Sequence, residues 1–256
     1  MRRGARLGVA GLGAVLGGLT GGFLVVGITL VLKAGIDLAS SQGTWFALTV
    51  PPLGLLVAVL ALHGYGTTAV ADDALARSWR AFHPDAARAD ISADVVGSAG
   101  REERFPWRLA PLRAVATLAT VGLGGAMGTE APAAYFGVAA GACLGDRGRG
   151  WRRLLRPAAL AGGAAGVAAL MGIALVGTAF MLELGRRRRA PLDAERLLAA
   201  LVGGAIGWGI DVVFGLSLIR LVVPKEAPGA FGQAVITALF IGAASGAITA
   251  AAAEAV

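Results

Sequence analysis

Apolar runs near or above the ~20 residues needed to cross a hydrocarbon core recur along this chain, and that recurrence limits its folds more than any motif does. Mean hydropathy is +0.72. Of the 256 residues 56% are hydrophobic, yet only 6% are aromatic and 40 are glycine. Glycine at this density suits helices whose backbones approach closely in lipid, so the composition predicts an all-α polytopic membrane protein. The formal charge of +7 could suggest a nucleic-acid partner. Its arginines, however, stand between apolar runs rather than on one soluble patch, and they read as topology signals. A nucleic-acid partner is excluded on that ground. A single cysteine, Cys143, leaves no internal disulfide and no zinc or iron–sulfur set, and no cofactor is expected.

The first apolar run starts at Leu7 and continues to about Leu32, too long for the core of a cleaved signal. Arg2, Arg3 and Arg6 hold its start in the cytoplasm, which predicts a multi-pass protein of the cell membrane with a cytoplasmic N-terminus. Gly13, Gly17 and Gly21 recur every fourth residue, marking a face that packs tightly. Lys33 and Asp37 stand four apart near its far end as an interfacial pair.

A second span is expected from about Ala47 to Leu62, with Trp45 and Phe46 as interfacial anchors and Pro51 and Pro52 in its first turns. Beyond His63 the segment Gly64-Tyr65-Gly66-Thr67-Thr68 breaks the helix, and a restart near Thr67 points free amides and hydroxyls into a cavity. Residues 72–108 are polar with both signs of charge, the pattern of a surface helix ending near Phe82 and a solvated loop.

After Arg108 and Arg113, an apolar stretch leads inward to Gly128-Thr129-Glu130-Ala131-Pro132. Glu130 is an acid inside an otherwise uncharged, glycine-rich run, and such a group costs at least ~2.5 kcal/mol at membrane depth unless it faces a cavity, a partner or a permeation path. Pro132 is tolerated in a first turn, so a helix is expected to begin at Glu130 and run to about Leu144. The first amides of that helix have no intrahelical partner, which makes an anion site beside a titratable carboxylate.

The arginines of residues 147–156 mark a cytoplasmic loop, and the next apolar run should break near Gly172. Glu183 reads as a helix-end acid paired with the Arg186–Arg189 cluster. A span from Leu197 to about Val223 carries Asp211, an acid that Arg220 or an adjacent helix could satisfy. The last apolar run, from Ala234 to Ala253, has Gly242 and Gly246 four apart and resembles the first in texture.

This order of features resembles the first half of the chloride channel and chloride/proton antiporter family. Gly128-Thr129-Glu130-Ala131-Pro132 looks like the family's glycine-x-glutamate-x-proline motif, with Gly137 and Gly141 at the family's spacing. The stretch ending in Phe180 and Glu183 is similar to its glycine/alanine-rich helix pair, and Gly64-Tyr65-Gly66-Thr67 occupies the place of its inner anion-binding turn.

The resemblance implies tilted, partly broken helices of one inverted repeat over about 7–223, followed by the start of a second at about 234–253. It implies that chloride or a similar small anion passes the membrane under the gate of Glu130. The outer anion site would be lined by Gly128, Thr129 and Ala131 and the inner one by Tyr65, Gly66 and Thr67. It also implies a homo-oligomer or a partner chain carrying the other half; the alternative is a non-transporting membrane assembly or regulatory subunit. Three positions depart from the family pattern. Thr129 stands where an arginine is common, Tyr65 stands at the inner serine, and Leu184 stands where proton-coupled members have a second acid, which favours passive conduction. With His63 and His83 far from any credible nucleophile, an enzyme is not expected.

Overall fold

The computed structural model describes residues 3–61, 105, 107–125, 128–145, 154–187 and 191–215, all within the compact unit that runs from Met1 to Ile219. These residues form seven α-helices: α1 (Arg3–Ser40), α2 (Thr44–Leu60), α3 (Ala110–Val121), α4 (Glu130–Gly145), α5 (Leu155–Met171), α6 (Ala174–Arg187) and α7 (Ala194–Phe214). A single 3-10 turn, Trp107–Leu109, leads into α3. The inner turn expected at Tyr65, Gly66 and Thr67, the polar segment up to residue 104, the arginine loop and the final run lie outside the described residues.

Helix α5 is the axis of the bundle. Residues 157–170 are all buried, although most are alanine or glycine. Such a helix offers little side chain to bury, so its neighbours must bring their backbones up to it. They do so through glycine. A Cβ added at Gly21 would sit 2.6 Å from the Gly162 Cα, and one at Gly17 would collide with Ala158. Gly137 and Gly141 of α4 are blocked in the same way by Gly162 and Ala158, and Gly203 and Gly207 of α7 by Ala161 and Ala165. The four-residue glycine spacing read in α1 therefore is a packing face.

These contacts also set direction. The pairs Gly141 with Ala158 and Gly137 with Gly162 run in opposite order, so α4 is antiparallel to α5; α1 and α7 run parallel to it. Helix α1 lies along the seam between α4 and α7, since Gly21 also meets the Gly137 carbonyl at 3.0 Å while Gly18 and Gly22 meet Ile206 and Ile210. Segment Arg6–Ala39 and helix α7 are long and apolar enough to cross a membrane, and Leu12, Phe23, Trp208 and Val213 stay exposed on their outer sides.

Several boundaries differ from those read in the sequence. Helix α2 begins at Thr44, so Pro51 and Pro52 sit in its interior rather than its first turns. The stretch leading to Glu130 makes a helix of only 12 residues, which at 1.5 Å per residue covers ~18 Å and cannot cross a bilayer alone. It ends in a turn where Gly124 takes φ +93°, a conformation that favours glycine. The break near Gly172 is as expected: φ is +70° there, its amide donates to the Ala168 carbonyl, and α6 restarts at Ala174. Helix α7 starts at Ala194 and stops at Phe214, earlier than Val223, because Gly215 takes a left-handed cap. Asp193 caps its start, accepting the Arg196 amide and the Arg156 guanidinium.

The close contacts predict a position-specific response to volume. Gly162→Val should lower stability by about 2 kcal/mol or more, because overpacked helices must separate. Gly11→Ala, where nothing lies within 4 Å of the added carbon, should stay within ~1 kcal/mol of the parent. Thermal unfolding of the two purified variants in one detergent checks both.

Candidate functional site

Glu130 is the first residue of α4, as its sequence context requires. The Thr129 carbonyl accepts the Ala133 amide at 2.9 Å, closing the first turn. Pro132 has no N–H, so the orphan donors of this end are the amides of Thr129, Glu130 and Ala131. They point positive partial charge out of the helix start, where an acid or an anion is favoured.

The carboxylate folds back over the preceding loop. A Cβ on Gly128 would lie 2.7 Å from Glu130 Oε2, so the absence of a side chain at Gly128 makes room for this rotamer. Gly128 is exposed, while Thr129, Glu130 and Ala131 are half-buried; two residues later α4 enters the core. The structure thus brings Gly128, Thr129, Glu130 and Ala131 together at one helix start. Among the described residues no group of His, Cys, Asp and Glu is placed to hold a metal.

Sequence reasoning passed over what lies behind this helix start. Arg113 read as a boundary arginine, yet it is only 4% exposed, and its guanidinium lies 4.6 Å above the ring of Tyr135. Tyr135 is fully buried five residues after Glu130, against Phe105 at 5.1 Å and Phe136 at 5.4 Å. Phe105, placed by its polar neighbours in a surface loop, is buried as well. A signal was available: Arg113 stands inside the apolar run LAPLRAVATLAT, too deep for a boundary charge. A cation over an aromatic face in a dry interior is held by the ring quadrupole, worth about 2 kcal/mol when desolvated.

The remaining acids divide. Glu183 is exposed and lies 4.0 Å from Arg186 one turn on, a helix-end pair as expected from its charge context. Leu184 packs against the core. Asp211 is 8% exposed in the last turn of α7.

A model of the voltage gated chloride channel family matches residues 74–256. The chain belongs to that family. It is therefore a membrane protein of a family that carries chloride and related anions, whose members are channels and transporters rather than enzymes. Among curated proteins none matches the chain. The matched region contains α3 to α7, and hence the helix start at Glu130.

Gly128→Ala should displace the Glu130 carboxylate without unfolding the chain, because the atom it meets is the end of a flexible side chain. The expected result is an altered pH profile of anion flux with a melting temperature close to the parent.

Proposed function

We propose that the chain conducts chloride or a similar small anion across the membrane and that Glu130 gates the passage. The reading rests on one observation above all: a carboxylate at a helix start, folded back over a glycine, beside three orphan amides. Ionised, it occupies the position to which those amides would attract an anion. Protonated, it loses its hold on them, and the anion competes successfully. Acid pH should therefore open the path. Gly128, Thr129 and Ala131 supply the outer anion contacts through backbone amides, and Tyr65, Gly66 and Thr67 supply the inner ones. No covalent step is involved.

Two further features favour this reading over a membrane subunit without transport. Arg113 provides a buried positive charge behind the helix start, which offsets the lack of an arginine at position 129. The glycine turn that ends α3 is followed by a half-buried start of α4 at Thr129, Glu130 and Ala131, which supports a helix start that an anion can reach. The chain works as a multi-pass protein with a cytoplasmic N-terminus, in a homo-oligomer or with a partner that carries the other half of the repeat pair.

Chloride efflux from liposomes tests the gate. In Glu130→Gln and Glu130→Ala the flux should persist and lose its dependence on pH, since the carboxyl is gone. Variants that keep the parental pH profile would remove Glu130 from the gating role, and an inert parent protein, reconstituted with its partner, would favour the assembly subunit.

A further inference from the structure

Arginine is gathered at one end of the bundle. Thr178 of α6 donates to the Ala200 carbonyl at 3.1 Å while Ala174 of α6 lies against Gly204, so α6 runs antiparallel to α7. Its C-terminus therefore lies beside the starts of α5 and α7, and α1, parallel to both, starts at that end too. Four helices bring a described arginine here: Arg6 from α1, Arg156 from α5, Arg186 from α6 and Arg196 from α7. In sequence, residues 1–6, 146–156 and 183–196, the segments that form or join these helix ends, hold thirteen arginines and four acids. Their formal charge of +9 exceeds the +7 of the whole chain, so the remainder is net acidic.

The placement runs against helix electrostatics. A helix N-terminus carries partial positive charge and favours acids, yet the first turns of α1 and α5 hold none. Arg156 is the second residue of α5 and Arg196 the third of α7. Of the four, only Arg186 sits where the dipole suits it, near the C-terminus of α6. Asp193 binds the Arg156 guanidinium at 3.0 Å and the Arg196 amide at 2.8 Å, and Glu183 lies 4.0 Å from Arg186. Few acids thus serve many cations. Side chains and helix dipoles of one sign stand together, and an anion from outside the chain lowers that repulsion.

Next to these charges the outer surface of α7 is apolar. Leu197, Leu201, Trp208 and Val212 recur at helical spacing and are 40%, 43%, 48% and 62% exposed. From Leu197 to Val212 the stripe runs ~22 Å at 1.5 Å per residue, beyond the ~15 Å of one leaflet's hydrocarbon. Leu192 is exposed as well, just before the start of α7. A ligand that answers both features has an anionic head and an apolar tail.

We propose that this end binds anionic phospholipid, with headgroup phosphates on the exposed Arg6 and Arg186 and the half-buried Arg156, and acyl chains along the apolar stripe of α7. Arg196 is buried and contributes charge from behind rather than contact. Guanidinium suits this ligand, because its planar fork matches two phosphate oxygens at once. With the N-terminus in the cytoplasm, as proposed above, the arginines meet the leaflet whose surface is negative. The lipid site stands apart from the gate, since α4 is antiparallel to α5 and Glu130 lies at the other end.

Native mass spectrometry of the full chain in detergent, titrated with dioleoyl phosphatidylglycerol or dioleoyl phosphatidylcholine, tests the site. Phosphatidylglycerol should bind roughly tenfold more tightly or better. An arginine near an anionic surface is worth about fivefold in affinity, so Arg6→Gln and Arg186→Gln should each weaken phosphatidylglycerol by that factor, with melting temperatures near the parent. Arg186→Lys keeps the charge and should retain most of the binding. Lys33→Gln, exposed at the other end of α1, should change nothing. Equal affinity for the two lipids overturns the proposal and leaves the arginines as topology signals only. A loss in Lys33→Gln as large as in Arg186→Gln overturns it too, because net charge and not this end would then set the affinity. Inorganic phosphate in excess over the lipid should leave the bound lipid in place; displacement would make the site one for a free anion and overturn the lipid as its occupant.

Discussion

Everything described here depends on backbone meeting backbone around α5. In lipid there is no hydrophobic gain from burying one apolar helix against another, so association rests on van der Waals contact and on polar bonds between helices. Alanine and glycine bring little side chain but allow the shortest interaxial distances, and α5 takes contact from α1, α4, α6 and α7 on that basis. Such contact limits sliding, because each glycine seats against one residue of α5: Gly17 on Ala158, Gly21 and Gly137 on Gly162, Gly203 on Ala161. The register between helices is consequently fixed by sterics, and with it the depth of every side chain those helices carry.

That fixed depth is what makes a broken helix useful. Helix α3 is too short to cross the membrane alone, and after its glycine turn α4 begins at a half-buried Glu130. A half-buried helix start presents orphan amides, and charge stands on both sides of it: Glu130 at the start itself, Arg113 on Tyr135 behind it. The two are not a salt bridge in this arrangement. Glu130 puts a negative charge at the helix start and Arg113 a positive one behind it, on the Tyr135 ring.

The polar groups that took their meaning from context differ in how they could be read. Glu183 beside four arginines is an exposed helix-end pair, and its sequence neighbours alone said so. Arg113 and Phe105 could not be read that way, because both stand next to a polar segment and yet turn inward to pack on Tyr135. Asp211 was visible as an acid in an apolar run, but its burial depends on contacts between helices far apart in the chain. Local composition predicts whether a residue tends to be buried; it does not say what is opposite.

The sequence by itself determined the class of the protein, the start of α4 at Glu130, the break at Gly172 and the tight face of α1. Each follows from local chemistry: apolar length, proline in a first turn, glycine where φ turns positive, glycine every fourth residue. Only the tertiary structure decided the shortness of α3, the interior position of Pro51 and Pro52, and the burial of Arg113, Thr29 and Asp211. Those depend on which backbones touch and at what register, and van der Waals contact between helices distant in sequence leaves no periodic signal along the chain.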